Sequence, residues 1–311
     1  MNDTPLVTIV TPSYNQARFL EQTMRSVLDQ DYPNIEYLVV DGASTDGSVE
    51  LIKKYSDRLT WWVSEKDGGQ AEAINKGFAR AKGEIIAWIN SDDYYMPGAV
   101  AGAVKALMNN LEVGFIYGNV RVVDKDDIIL NQLTYDNWSL KDLLSFHIIG
   151  QPAVFMRRSL LEKVGYLDQS YHCLLDHHLW IRLAAQSGMK HIPSLWASAH
   201  YHEDCKNLAI AAEFGKEAKR MVLWMQSSPM FHNLFEQNRK LILAAAERFD
   251  AFYLLDAREY PAAFRAYWKA FWLNPATVTP EWYRMVYALF APLGLDGLRK
   301  RFLQRRRNKL N

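Results

Sequence analysis

The chain has 311 residues, 49% hydrophobic and 23% charged, with a formal net charge of +1. That length suggests one large α/β domain plus a smaller unit, with enough apolar content for a buried core. Near-neutral charge argues against a general nucleic-acid binder, two cysteines (Cys173 and Cys205) give no disulfide framework and fit a reducing cytoplasm, and no apolar run reaches the ~18–20 residues that span a bilayer. Residues 1–5 lack the basic and apolar regions of a signal peptide, so a soluble or peripheral protein is expected.

Residues 7–10 read as a short buried strand, broken by Thr11-Pro12-Ser13-Tyr14-Asn15. Phe19, Leu20, Thr23, Met24, Val27 and Leu28 then share one helical face. Residues 35–40 form a second strand ending in Asp41-Gly42, 48–55 a short helix opened by Asp46 or Ser48, and 61–63 a third strand. A helix over 71–81 stops at Gly83; a fourth strand (84–89) and another helix (97–109) follow. Residues 113–123 and 153–156 look like further strands, and 176–185 like a helix. This alternation predicts an α/β fold with a mainly parallel sheet and helices on both faces.

The character changes after about Lys206, which divides the chain into domains 1–206 and 207–311, the second helical. Residues 257–275 look like part of one tetratricopeptide-type hairpin; such repeats need neighbours, so a packed helix pair is expected. Trp268, Phe271, Trp272, Trp282, Tyr283 and Tyr287 read first as core, with a dimer face or a membrane-facing surface as alternatives. Arg299, Lys300, Arg301, Arg305, Arg306, Arg307 and Lys309 interleave with Leu298, Phe302 and Leu303. That basic amphipathic pattern fits a solvated helix or peripheral attachment to an anionic membrane face.

The most informative stretch is Trp88-Ile89-Asn90-Ser91-Asp92-Asp93, a β-prone run that ends in adjacent carboxylates. Such carboxylates repel unless a cation or hydrogen-bond donors sit beside them, and ligands collect at the carboxyl ends of parallel strands. The pattern points to a divalent metal holding a phosphate-bearing ligand; a solvated or capping Asp-Asp turn is the plainer alternative. Asp67-Gly68-Gly69-Gln70 opens a helix after the third strand, where glycines allow close approach and a helix N-terminus favours anions. A simple turn has the same composition. Adjacent His177 and His178 beside Asp176 do not have the i, i+4 spacing of a zinc pair.

Taken together, residues 7–15, Val39-Val40-Asp41-Gly42 through Ser48, Asn90-Ser91-Asp92-Asp93, Gln151-Pro152-Ala153-Val154-Phe155, Gly165-Tyr166-Leu167-Asp168 and 176–183 resemble family-2 glycosyltransferases of the GT-A fold. The resemblance covers about residues 5–206 and implies a GT-A, Rossmann-like fold with a helical C-terminal region. It implies an inverting, metal-dependent transferase that moves a sugar from a nucleotide-diphosphate donor, most simply a UDP-sugar, to a hydroxyl of a glycan or lipid-linked saccharide. Thr11, Pro12, Tyr14, Lys66, Asp67, Gly68, Gln70 and Asn75 would line the donor nucleotide. Asp41 would accept a hydrogen bond from the base, with turn formation at Gly42 as the alternative. Asp92 would reach the ribose or a metal-bound water, and Asp93 would ligate Mn²⁺ or Mg²⁺. Asn90 stands where many relatives have a carboxylate. Asp176 would be the base that takes the acceptor's proton, although an Asp at a helix start is also an ordinary N-cap. His202 would reach the metal or diphosphate, with His200 a near competitor and a surface histidine the alternative. Gln151, His178 and Lys206 would contact acceptor or phosphates, and Leu175 and His178 depart from the acids common in relatives.

A sugar-nucleotide nucleotidyltransferase is the second reading, disfavoured because 11–18 carries no glycine-rich triphosphate loop. A non-catalytic scaffold of the same fold is the third, disfavoured because Asp93 and Asp176 are both present. No Gly-x-Gly-x-x-Gly follows the first strand, against a nicotinamide-dependent enzyme. The expected setting is cytoplasmic, at the inner face of the plasma membrane if the basic stretch binds lipid, as a monomer or homodimer.

Overall fold

The computed structural model describes residues 4–201 and 210–293. Two compact units emerge, one of Met1–Ser139 with Ile149–His200, the other of Leu140–Ile148 with Tyr201–Asn311. Nothing in the sequence marks 140–148 as belonging with the second.

In the first unit, β1 (Val7–Ser13), β2 (Ile35–Asp41), β3 (Trp61–Ser64) and β4 (Ile85–Trp88) lie parallel in the order β3-β2-β1-β4. All seven residues of β1 are buried, as a strand covered on both faces must be. Beyond β4 the pairing changes. β8 (Val154–Arg157) runs antiparallel to β4 and to β6 (Val113–Val123). β9 (Gly188–His200) runs parallel to β6, β5 (Asp93–Tyr95) antiparallel to β9, and β7 (Ile129–Leu133) antiparallel to β6. The first four strands follow the parallel expectation, and the sheet as a whole is mixed.

The sequence reading did not include β5, β7 or β9. In β9, Pro193 interrupts the apolar pattern, and a proline in a run ordinarily argues against a strand. Register shifts against β6 around Tyr117 and Asn119 accommodate it. β5 depends on β9 in turn, because Asp93 pairs with Ala199.

Helices cover the sheet as their patterns require. α1 (Ala17–Leu28) buries Phe19, Leu20, Thr23, Met24 and Val27. α3 (Gln70–Phe78) lies close enough to β1 that a Cβ on Gly77 would meet Val10 Cγ1 at 2.4 Å and Cγ2 at 2.8 Å. Gly77→Ala is therefore expected to cost about 1–3 kcal/mol by overpacking. Urea denaturation reads this directly, and an unchanged midpoint would mean that α3 can lift off β1 without penalty. α7 (Leu175–Ala184) is anchored by Trp180, whose ring stacks on Trp88 at 5.1 Å and on Phe115 at 5.9 Å.

The second unit is helical, as expected, with Arg239–Asp256 and Tyr260–Leu273 packed as a pair. Its core holds Ala251, Leu255, Ala263, Tyr267, Ala270 and Ala288, with Phe271 and Tyr287 partly buried against them. Trp268, Trp272, Trp282 and Tyr283 are exposed, which corrects their first reading as core. Among the described residues no helix is long and apolar enough to cross a membrane. The basic stretch 298–309 lies outside them.

Candidate active site

The parallel strands end in a cluster of polar side chains. Asp41, the last residue of β2, is fully buried. Its Oδ2 accepts from Ser44 N at 2.9 Å and Ser64 Oγ at 2.7 Å, and its Oδ1 accepts from the Ser44 hydroxyl. The turn at Gly42 is thus visible in the geometry. Thr11 Oγ1 shares a buried hydrogen bond with Tyr37 OH at 2.9 Å, and Pro12 is buried within β1. Tyr14 is 64% exposed. A Cβ on Gly42 would lie 3.1 Å from an Asp67 carboxylate oxygen and 3.3 Å from Tyr14 Cδ2, so Tyr14, Gly42 and Asp67 border one small space. Asp46 accepts from the N–H of Ala17 at 2.8 Å and of Ser48 at 3.1 Å, serving the starts of two helices.

At the start of α3, Asp67 Oδ1 accepts from Gly69 N at 2.9 Å and Glu72 Oε2 from Gly68 N at 2.8 Å. Gly69 sits at φ 116°, where a side chain would be strained. Lys66 is exposed. Asn75 spends both ends of its amide on Leu167, donating to its carbonyl at 2.8 Å and accepting from its N–H at 2.9 Å. That pair ties α3 to the 165–168 turn.

The acidic turn is built from β4, β5 and β9. Asp93 opens β5, is 6% exposed, and among the described residues accepts only long hydrogen bonds, from Asn90 Nδ2 and from His200 N, both at 3.3 Å. Burial first, and the charge of Asp92 second, push its carboxyl well above the usual carboxylate range. Asn90 in turn accepts from Gln70 Nε2 at 2.7 Å, so this residue relays one hydrogen bond from α3 to Asp93. The main-chain oxygen of Asp92 accepts from His200 Nδ1 at 2.5 Å.

His200 is wedged between Phe19 and Tyr94, at 4.7 and 5.6 Å, with Nε2 at 3.2 Å from Asp127 Oδ1. It is a buried structural histidine. Asp127, at φ 61° in the β6–β7 connection, also takes hydrogen bonds from Gln22 Nε2 at 3.2 and 3.3 Å. Sequence reasoning missed Asp127, because Lys125-Asp126-Asp127 has the composition of an ordinary solvated turn.

Asp92 and Asp93 fit a hard divalent cation: both supply oxygen, their charges repel, and the buried one is weakly compensated. Among the described residues, no group of three or more His, Cys, Asp or Glu is placed to hold a metal. Mg²⁺ and Mn²⁺ sites commonly draw further oxygens from water and substrate phosphates. His202 and Lys206 lie outside the described residues.

Asp176 sits in the first turn of α7, one residue inside the helix, where Leu174 holds the cap position. It is half-buried, and its Oδ1 accepts from His177 N at 2.7 Å. It lies four residues before Trp180 and so shares the helix face that meets Trp88. Tyr135 is close enough that the Asp176 charge helps raise its phenol, although burial is the larger cause, and Tyr135 OH accepts from Gly150 N at 3.0 Å. Next to Gly150, Gln151 donates from Nε2 to the carbonyl of Trp88 at 2.8 Å, while its buried Oε1 has no hydrogen-bond partner among the described residues. His178 is buried and stacks on Tyr171 at 4.5 Å. The structure thus gathers three groups: Asp41, Asp67 and Tyr14; Gln70, Asn90, Asp92 and Asp93; and Gln151, Tyr135 and Asp176.

The family model for glycosyl transferase family 2 matches residues 8–165, just over half of the chain. The chain belongs to glycosyl transferase family 2. The family match takes in the acidic turn and Gln151 and ends before Asp176 and β9. An uncharacterized glycosyltransferase of Rickettsia typhi is 28% identical over 194 residues, 60% of this chain and 60% of the relative. A Rickettsia felis relative is 28% identical over 75% of this chain but only 39% of its own length, so the chain spans less than two thirds of either relative. TuaG of Bacillus subtilis, whose name assigns it provisionally to teichuronic acid biosynthesis, is 32% identical over 53% of this chain and 66% of its own.

Among solved structures, Staphylococcus aureus TarS 1–349 in complex with UDP-GlcNAc superposes with a TM-score of 0.65 at 15% identity, covering 97% of this chain and 89% of that one. The mannosyltransferase PcManGT of Pyrobaculum calidifontis, in complex with GDP-Man and Mn²⁺, gives 0.58 at 23% identity, covering 94% and 88%. Both share the glycosyltransferase fold: a mixed sheet flanked by helices, followed by a helical region.

Proposed function

We propose that this glycosyltransferase is an inverting, metal-assisted enzyme that moves a sugar from a nucleoside diphosphate, most simply UDP, to an acceptor hydroxyl on a glycan or lipid-linked saccharide. The observation that carries the reading is Asp93, a buried and weakly compensated carboxylate beside Asp92 at the carboxyl end of β4. The catalytic domain is taken as residues 1–206. The bound donors named for TarS and PcManGT support a nucleotide-sugar ligand, and the name of TuaG supports a surface-glycan acceptor.

In this reading Tyr14 and Asp67 flank the base, and Asp41, fully buried and already accepting from Ser44 and Ser64, fixes the turn beneath it instead of meeting its N–H. Thr11, Pro12 and Asn75 shape the pocket from behind, since their polar groups are buried or already paired. Lys66, Gly68 and Gln70 lie along the phosphates, and Asp92 faces the ribose. Asp93, with His202 as a further ligand, would hold a divalent cation, which would neutralise charge on the diphosphate. Asp176 takes the proton of the acceptor hydroxyl as its oxygen bonds to the anomeric carbon and the bond to the diphosphate breaks. Gln151 offers its unpaired Oε1 to an acceptor hydroxyl, His178 backs the acceptor side from beneath Tyr171, and Lys206 adds charge toward the phosphates.

A panel of UDP-, GDP- and dTDP-sugars with Mn²⁺ tests this. Release of one nucleoside diphosphate in the presence of a saccharide acceptor is expected. Pyrophosphate release from a nucleoside triphosphate and a sugar phosphate would overturn it in favour of nucleotidyl transfer.

Asp127→Ala removes the carboxylate that steadies His200, and with it the Asp92–Asp93 turn. Outer supports of this kind affect affinity by about 10–100-fold. Mn²⁺ titration followed by calorimetry is expected to show weakening in that range. Unchanged Mn²⁺ affinity would make the hairpin contact purely structural.

A further inference from the structure

Trp282, Tyr283, Val286, Leu289 and Phe290 fall at i, i+1, i+4, i+7 and i+8 of the Trp282–Phe290 helix, on one face. All five are exposed, from 38% for Val286 to 60% for Trp282. The basic residue of this helix turns the other way. The Arg284 guanidinium lies 4.3 Å over the Phe252 ring, with Nε at 3.9 Å from Glu281 Oε2. Ala288 enters the core from the same inner side. The helix thus shows aromatic and aliphatic groups to solvent and its cation to the interior, the reverse of a solvated surface helix. The neighbouring Tyr260–Leu273 helix exposes Trp268 and Trp272, the latter at 71%, with their rings 5.9 Å apart.

Contiguous exposed apolar surface of this kind marks a docking site. Trp and Tyr, with an apolar body and a polar tip, favour the boundary between water and hydrocarbon. Shortly after this helix the sequence carries seven Lys or Arg and no Asp or Glu over residues 297–311. An interfacial apolar face and a following sequence rich in positive charge together match an anionic lipid surface. A second copy would bring the same excess of positive charge, seven Lys or Arg against no Asp or Glu over residues 297–311, which disfavours it as the occupant.

We propose that the outward face of the Trp282–Phe290 helix, with the basic stretch that follows it, docks this chain onto an anionic membrane surface. The proposal stands apart from the sugar-transfer reading, because vesicle binding is measured with no donor or acceptor present. The full chain is floated with vesicles of pure phosphatidylcholine, or of phosphatidylcholine and phosphatidylglycerol in equal parts. Binding to the anionic vesicles is expected, weak on the neutral ones and weakened by salt. Trp282→Ser with Phe290→Ser is expected to lower the partition coefficient by about tenfold, as are Arg305→Gln, Arg306→Gln and Arg307→Gln together. Val286→Ser with Leu289→Ser serves as a second face variant should the first unfold.

Absence of binding to anionic vesicles at low salt overturns the proposal. Undiminished binding by both face variants also overturns it, leaving the basic stretch to act alone. A dimer in sedimentation that the face variants dissolve, without vesicle binding, assigns the face to a second copy. Stronger vesicle binding after removal of residues 298–311 makes that stretch the cover of the face, and overturns the proposal as well.

Discussion

Asp176→Asn is expected to lower sugar transfer by about 10²–10⁴-fold while leaving nucleoside diphosphate affinity nearly unchanged. The side-chain oxygen of Asn can still accept from His177 N, and Trp180 still fixes α7 against Trp88 and Phe115. The loss is therefore confined to proton acceptance, and it should appear in kcat rather than in donor binding. Steady-state transfer assays with a binding titration separate the two. Transfer at wild-type rate would place the base elsewhere and leave Asp176 as part of the first turn of a helix.

Asp93→Asn is expected to act in opposite directions on stability and on transfer. The carboxyl of Asp93 is raised by burial and by Asp92. A raised acid binds more protons folded than unfolded, so its contribution is harmless below its unfolded value and becomes destabilising as pH rises through and past that value. Asn removes the charge and keeps one of the two acceptor oxygens, so either His200 N or Asn90 Nδ2 loses a bond that is already long, 3.3 Å in each case. The variant without metal is therefore expected to be more stable at neutral pH by roughly 1–3 kcal/mol, with the gain vanishing in acid. Transfer, by contrast, should fall by about 10²-fold or more, because the carboxylate proposed to hold the diphosphate-neutralising cation is gone. Thermal unfolding at neutral and acid pH reads the first effect. A variant less stable than wild type at neutral pH would show that the chain already compensates this carboxylate.

The placement of the proposed donor residues is legible in the sequence because they lie at the ends of strands with simple apolar patterns. β1, β2 and the run before Asn90 each end where the chain turns polar, and the amphipathic pattern of α1 carries straight into the structure. What surrounds those ends is less legible. β9 contains Pro193, and only its register shifts against β6 make room for it. His200 at its end reads as equivalent to His202 until its burial between Phe19 and Tyr94 is seen. Asp127 is contributed by a hairpin more than a hundred residues from Gln22, and no local pattern marks such a contact. The outward face of the Trp282–Phe290 helix teaches a different lesson. Its spacing is that of a core-facing stripe, and periodicity says which residues share a face without saying which way that face points.

The proposed donor site lies at the carboxyl ends of the parallel strands, around Asp93. Calorimetric titration of UDP, GDP and dTDP, each with and without Mn²⁺, on the wild-type chain and on Asp93→Asn, tests this most directly. Mn²⁺-dependent binding of one diphosphate is expected, UDP on the simplest reading, weakened by at least about tenfold in the variant. Equal binding by wild type and variant, or binding indifferent to Mn²⁺, would contradict the metal-assisted site at Asp93. Failure of every diphosphate to bind the wild-type chain would contradict the donor site itself.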